Sequence, residues 1–182
     1  MTIAILALQG AFAEHQQMLQ CMGVDSFFVR NLNDWKREKD GLIIPGGEST
    51  AIMRIIRDEA LFNPVREAIL SGLPVFGTCA GLIMLDGEHL GTMSIRVRRN
   101  AYGRQLGSFH TVGGFGGIGA VPMTFIRAPY IESVSDGVEV LSVVDGHIVA
   151  AKQGNQLVTA FHPELNGDTR IHEYFLSMMG GM

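Results

Sequence analysis

Cysteine is scarce in this chain. Cys21 and Cys79 are the only two among 182 residues, and two thiols make no disulfide framework in a chain long enough to build its own core. An excess of charge of one sign is missing as well. Fourteen basic side chains face eighteen acidic ones, for a formal net charge of −4, and the nearest thing to a basic cluster is Arg96 with Arg98 and Arg99. That field is too small to hold a phosphate backbone, which argues against nucleic acid as a partner. Long apolar runs are also absent. The stretch 3–8 near the start is too short to span a membrane, and no basic residues of a secretory signal precede it. No histidine pair lies at metal-ligand spacing with a cysteine or carboxylate, so no metal is expected. These absences together suit a reducing, cytoplasmic setting.

What is present is a core. Hydrophobic residues make up 47% and charged residues 18%, which argues against disorder, and the length fits one domain covering residues 1–182. The first half alternates short apolar runs with helical patterns. Strands are expected at 3–8, 26–30, 41–44 and 74–77. Helices are expected after Gly10 (with Phe12, Leu19 and Met22 on one face), over 49–60 (Ile52, Ile55, Ile56) and from Pro64 to residue 71. A further apolar helix over 82–85 follows the fourth strand. Fully apolar strands between helices predict an α/β fold: a mostly parallel central sheet with helices on both faces. The second half predicts strands at 95–98, 123–126, 138–143, 148–151 and 157–161, with Asp136-Gly137 and Asp145-Gly146 as hairpin-type turns. These would form a mixed or antiparallel extension, and a helix over 168–179 closes the chain. Ligands of such sheets sit at the carboxyl ends of the strands, so the turns after the third and fourth strands are the first places to look for chemistry.

Gly77-Thr78-Cys79-Ala80-Gly81 runs from a buried strand into a helix. It is the cysteine counterpart of the Gly-x-Ser-x-Gly elbow, in which a sharp turn lifts the nucleophile above the sheet edge. Flanking glycines relieve the crowding of such a turn. The helix N-terminus favours a thiolate, and its free N–H groups, that of Ala80 above all, can hold an oxyanion. Cys21, inside a helical pattern with no such turn, reads as structural.

Phe161-His162-Pro163-Glu164 ends the last apolar strand. Pro163 keeps His162 and Glu164 off a helix interior and predicts extended chain, where residues two apart share a side. An imidazole beside a carboxylate suits a general base with a group that orients it. The other histidines (His15, His89, His110, His147 and His172) have no comparable context. Pro45-Gly46-Gly47-Glu48-Ser49-Thr50 joins the third strand to a helix that Ser49 or Thr50 would cap, and its two glycines let backbone approach a ligand. Gly114-Phe115-Gly116-Gly117-Ile118-Gly119 has a dinucleotide-binding spacing but neither clearly follows a buried strand nor opens a helix. It reads as a flexible loop with no nucleotide.

Taken together, the three catalytic-looking segments resemble the class I glutamine amidotransferases. The chain looks most like the glutaminases that serve pyridoxal 5′-phosphate synthase, through Leu8-Gln9-Gly10, Arg99-Asn100-Ala101-Tyr102-Gly103-Arg104-Gln105 and Phe125-Ile126-Arg127-Ala128-Pro129 in addition to the motifs above. The resemblance implies Cys79 as nucleophile, His162 as general base and then acid, and Glu164 as its orienter. It implies an oxyanion hole from the N–H groups of Gly47 and Ala80, and glutamine contacts at Gly47, Glu48, Ser49, Arg99, Ile126 and Arg127. It further implies L-glutamine as substrate, no cofactor, and as partner a barrel-type pyridoxal 5′-phosphate synthase subunit. Residues 86–89 form a shorter segment than the family usually carries there. Three rival readings are an amidotransferase subunit of another pathway, such as imidazole glycerol phosphate synthesis, a catalytically dead regulatory module, and a cysteine peptidase of the same fold. The arginine segments oppose the first, and the complete Cys79, His162 and Glu164 set opposes the second. Peptide hydrolysis without a partner would distinguish the third.

Overall fold

The computed structural model describes residues 1–99 and 108–180. Its centre is a nine-stranded sheet. β1 (Thr2–Leu6), β2 (Asp25–Val29), β3 (Gly41–Ile44) and β4 (Val75–Thr78) are parallel, and β11 (Gln156–Thr159) joins them on the far side of β4. β10 (His147–Gln153), β8 (Tyr130–Val134) and β5 (Ile95–Arg98) continue the sheet antiparallel, giving the order β2-β1-β3-β4-β11-β10-β8-β5, and β9 (Glu139–Val144) pairs with β10 outside that path. The expected α/β architecture with an antiparallel extension is present.

The central strands are apolar throughout because they are covered on both sides. All four residues of β3 are buried, as are all four of β4. Side chains alternate along β4, so Phe76 faces one way and Gly77 the other. Phe76 packs against His15 of α1 (Phe12–Cys21) and against His172 and Phe175 of α6 (Arg170–Ser177). Gly77 faces α5 (Ala80–Leu85), where a Cβ on Gly77 would meet the Gly81 carbonyl oxygen at 2.6 Å. Helices therefore cover both faces. α2 (Leu32–Trp35), α3 (Ser49–Asp58) and α4 (Phe62–Leu70) complete the helical set among the described residues. α2, absent from the sequence pattern, is a single turn capped by Asn31, whose side chain accepts from Asp34 N–H at 2.9 Å.

Several other expectations need correction. The glycine-rich stretch expected as a flexible loop is a hairpin: β6 (Ser108–Phe115) and β7 (Gly119–Ile126) pair antiparallel in a two-stranded sheet of their own. Glycine has low strand propensity, yet a ladder from Ser108↔Ile126 to Phe115↔Gly119 supplies the backbone partners, and Phe115 and Phe125 bury their rings. β8 is a further strand that the sequence pattern does not announce. β11 stops at Thr159, two residues short of the expected end, and α6 is shorter than the helix expected over 168–179. Glu48, rather than Ser49 or Thr50, caps α3: its carboxylate accepts from Thr50 N–H at 3.3 Å and Ala51 N–H at 2.8 Å. Residues 163–165 form one turn of 3₁₀ helix with Pro163 at its start, so Glu164 is not on extended chain. The Arg99-to-Gln105 motif runs outside the described residues beyond its first position.

Register explains where chemistry can occur. Ile44 of β3 lies opposite Gly77 of β4, and Thr78 of β4 lies opposite Thr159 of β11. Three neighbouring parallel strands thus end at one level, and the segments carrying Gly46-Gly47, Cys79 and His162 emerge side by side.

Candidate active site

Cys79 is the residue between β4 and α5, with φ 52° and ψ −103°. Such a backbone conformation costs a non-glycine residue of order 1–3 kcal/mol and persists only where the surroundings enforce it. Here they do. The Cys79 N–H donates to Thr159 O at 2.8 Å, extending the β4–β11 ladder, and the Cys79 carbonyl accepts from Leu82 at 3.1 Å to start α5. The flanking glycines relieve crowding as expected, while the backbone strain itself sits on the cysteine. A Cβ on Gly81 would overlap the Ile44 carbonyl oxygen, and one on Gly77 would crowd Gly81.

His162 is fixed to β7 by its N–H, which donates to Thr124 O at 2.8 Å. Its Nδ1 lies 2.5 Å from Glu164 Oε1. The 3₁₀ turn brings these two together, in place of the predicted extended chain. Nε2 remains as the ring nitrogen available to Cys79, whose side chain is near enough to raise the His162 pKa. Burial on its own lowers the His162 pKa, but the hydrogen bonds to Cys79 and Glu164 and the charges of both outweigh it and raise the value to about 10. Cysteine, imidazole and carboxylate therefore stand in one connected line. Their separation in sequence, 79 against 162 and 164, is closed by the pairing of β4 with β11.

Behind Glu164 lies a group that the sequence did not reveal. His15 and His172 are fully buried. His15 Nε2 is 3.2 Å from Thr78 Oγ1 and 3.6 Å from Glu164 Oε2, and its Nδ1 is 2.9 Å from His172 Nε2. Burial, then the neighbouring imidazoles of His172 and His162, push the His15 pKa well below its ordinary value. Burial lowers that of His172 to about 4. Both rings are neutral near pH 7, so the contact between His15 and Glu164 is not an ion pair. Hydrogen bonding selects the tautomers. If His172 Nε2–H donates to His15 Nδ1, His15 Nε2–H is left to face Thr78 and the carboxylate, and the unpartnered His172 Nδ1 is a bare acceptor. The opposite choice would bury an unpartnered N–H and turn a lone pair toward Glu164, which costs more. Nothing local marks these residues: His15 and His172 are 157 positions apart, and each sits in an ordinary helical pattern.

The Gly46-Gly47 turn faces Cys79 from β3. The Gly46 carbonyl accepts from Ala11 N–H at 2.9 Å. The peptide is trans, so the Gly47 N–H points to the opposite side. Gln9 Oε1 accepts from Glu48 N–H at 2.6 Å and ties the turn to the segment ahead of α1. Gln9 belongs to the Leu8-Gln9-Gly10 motif, which by itself suggests no role for it.

A cavity of about 440 Å³ opens over these groups, within the range of small-molecule sites. Gly47, Glu48, Ser49, Cys79, Ala80 and His162 line it, as do Arg99, Ile126 and Arg127. Of the site residues expected from the sequence, only Glu164 is absent from the wall, because it stands behind His162. Arg127 has φ 45°, a second strained non-glycine residue on the rim, and the carbonyl of neighbouring Ile126 is 3.9 Å from Cys79 Sγ. Glu48 is largely committed to capping α3.

Comparison with known proteins agrees with this geometry. Residues 5–180 match the SNO glutamine amidotransferase family. The chain is 56% identical to the pyridoxal 5′-phosphate synthase subunit PdxT of Streptococcus pneumoniae serotype 2, with 98% of this chain and 97% of the relative covered. A solved glutamine amidotransferase superposes with a TM-score of 0.92 at 39% identity, covering 98% of each chain. The solved structure of a putative GMP synthase component from Thermoplasma acidophilum shares the fold, with a TM-score of 0.72 at 18% identity over 99% of this chain and 94% of that one. The chain belongs to the SNO glutamine amidotransferase family.

Proposed function

We propose that residues 1–182 form one glutaminase domain that releases ammonia from L-glutamine at Cys79 and passes it to a barrel-type pyridoxal 5′-phosphate synthase subunit. The observation that carries this reading is that Cys79 and His162 line one cavity of substrate size, with the His162 imidazole held from behind by Glu164. The name of the 56% identical relative, a subunit of pyridoxal 5′-phosphate synthase, supports the pathway.

In this mechanism the proton of Cys79 already rests on His162, in keeping with its raised pKa, and the sulfur attacks the side-chain amide carbon of glutamine. The N–H groups of Ala80 and Gly47 hold the negative oxygen of the tetrahedral intermediate, a contribution of about 3–4 kcal/mol where such donors are preorganised. Collapse of the intermediate breaks the C–N bond, and the imidazolium gives its proton to the leaving nitrogen, so that ammonia departs. Water, deprotonated by the now neutral His162, then hydrolyses the γ-glutamyl thioester to glutamate and frees the Cys79 sulfur, leaving the proton on His162. Glu164 stabilises the imidazolium at both stages. Arg99 and Arg127 supply guanidinium groups for the substrate α-carboxylate, and Gly47, Glu48, Ser49 and Ile126 complete the pocket. No cofactor takes part in these steps. The two unpaired cysteines suit a reducing cytoplasm.

Replacing Cys79 by Ala in the complex with the synthase partner tests the reading. Glutamine-dependent product formation should vanish while ammonia-supported synthesis persists. Glutamine-dependent turnover by the Cys79→Ala complex would reject the nucleophile.

A further inference from the structure

The segment after α5 reaches Arg99, which stands on the wall of the cavity. Asp86 ends α5 and is 4% exposed. One of its oxygens accepts from Glu88 N–H at 2.9 Å, from His89 N–H at 3.1 Å and from His89 Nδ1 at 2.7 Å. A carboxylate has no proton to give, so an imidazole hydrogen sits on Nδ1, and Nε2 accepts because the guanidinium that faces it can only donate. That acceptor is occupied: Arg99 Nη2 lies 2.8 Å from it. Arg99 Nη1 donates more weakly to Thr50 Oγ1, at 3.4 Å. Arg99 lines the cavity that contains Cys79 and His162, and together with His89 it borders the adjoining recess on α3.

A free arginine at a cavity rim would sample many rotamers and lose that freedom on gripping a substrate. Two directional contacts to its Nη atoms remove much of that loss in advance while leaving other N–H groups of the fork free. Asp86 makes the arrangement specific, because it selects the tautomer that leaves Nε2 able to accept.

We propose that His89, itself fixed by the buried Asp86 carboxylate, is a positioning residue that holds the Arg99 guanidinium ready for the α-carboxylate of glutamine. The 86–89 segment is then a device for substrate affinity. The inference rests on the proposed role of Arg99 in glutamine binding, and the test separates the two.

The full chain is assembled with the synthase partner, and KM and kcat for glutamine hydrolysis are measured for His89→Leu, His89→Gln, Arg99→Ala and the His89→Leu/Arg99→Ala pair. Leucine removes the acceptor, whereas glutamine can place its amide oxygen near the Nε2 position. His89→Leu should raise KM about tenfold, the scale of a lost hydrogen bond to a charged group, with kcat within about twofold of the parent. His89→Gln should recover part of the affinity, and His89→Leu should add nothing once Arg99 is Ala. A merely structural role would not produce that non-additivity or the rescue. An unchanged KM in His89→Leu, with a raised KM in Arg99→Ala, overturns the positioning role alone. An unchanged KM in Arg99→Ala overturns the substrate role of Arg99 and the inference with it.

Discussion

Glu164 sets its two carboxylate oxygens against two different histidines: Oε1 is 2.5 Å from His162 Nδ1, and Oε2 is 3.6 Å from His15 Nε2. The two rings differ in charge because their surroundings differ. His162 has anionic partners that outweigh burial, and its pKa rises to about 10. His15 is fully buried beside two other imidazoles and stays neutral. One carboxylate thus supports a cation toward the cavity with one oxygen and turns the other, which accepts no hydrogen bond, toward a neutral ring behind it. Replacing Glu164 by Gln removes the anion from this line and lets an amide N–H donate to His162 Nδ1, which selects the wrong tautomer. The expected result is a fall in kcat for glutamine hydrolysis of about 10³–10⁴-fold with little change in KM, by analogy with loss of the orienting carboxylate in other triads. A fall below about tenfold would show that Glu164 does not orient the base.

The buried pair behind the triad makes the fold acid-sensitive. The pKa of His172 is lowered from 6.5 to about 4, and His15 is also lowered, both chiefly by burial. A group whose folded pKa is depressed contributes stability above its unfolded pKa and loses it as pH falls toward the folded value. The loss should therefore develop between pH 6.5 and about 4, and for His172 it amounts to roughly 3 kcal/mol in total. His162 has the opposite sign: its contribution is fully present below its ordinary value of 6.5 and is lost as pH rises through about 10. Thermal melts followed by circular dichroism across the acid window should show Tm dropping more steeply for the parent than for His172→Gln, which cannot take up a proton. Equal slopes would mean that other groups govern the acid limb.

The half of the site that chemistry marks was legible in the sequence, and the half that only topology creates was not. Cys79 and the His162–Glu164 pair each carry a local signature, a strand-to-helix turn rich in glycine and a histidine beside proline at a strand end. The strands 41–44 and 74–77 were legible because burial on both faces leaves no polar position. His15, His172 and His89 carry no signature, since their partners are supplied by other elements: the β1–β3–β4 packing brings α1 and α6 together over Phe76, and the turn at Asp86 reaches Arg99 across the end of β5. The β6–β7 hairpin was hidden for a different reason. Glycine at 113, 114, 116, 117 and 119 erases the alternation of side chains that identifies a strand, although the backbone ladder is complete.

Glu48, a substrate contact by resemblance, has a second occupation in the structure. Hydrogen bonds, first from the Ala51 N–H and then from Thr50, hold its carboxyl below the ordinary value against the opposing effect of burial. A capping side chain of this kind is worth about 1 kcal/mol. Glu48→Ala should lower stability by that amount in urea unfolding, whereas Glu48→Asn, another good cap, should restore most of it. If the carboxylate also contacts glutamine, both variants will raise KM. If capping is its whole role, KM in Glu48→Asn will match the parent.

The most confined test concerns one hydrogen atom of Gly46. A Cβ built there would overlap His162 Cε1 and lie 3.1 Å from His162 Nδ1 and 3.3 Å from Cys79 Cβ. The backbone of Gly46 is not in the left-handed region, so alanine fits the main chain and the conflict falls on the catalytic pair. Gly46→Ala should therefore fold, with its central sheet intact, while the imidazole is pushed out of line with the sulfur. A displacement on the order of 1 Å at reacting groups can cost about 10²-fold in rate. Gly10→Ala provides the contrast: φ is +104° there, and the new Cβ would overlap the Gly46 carbonyl oxygen, so strain and a displaced 45–48 turn should reduce stability as well as turnover. Melting temperature and glutamine turnover, measured side by side, should separate the two variants. Turnover in Gly46→Ala close to that of the parent would mean that His162 and Cys79 react from a different arrangement.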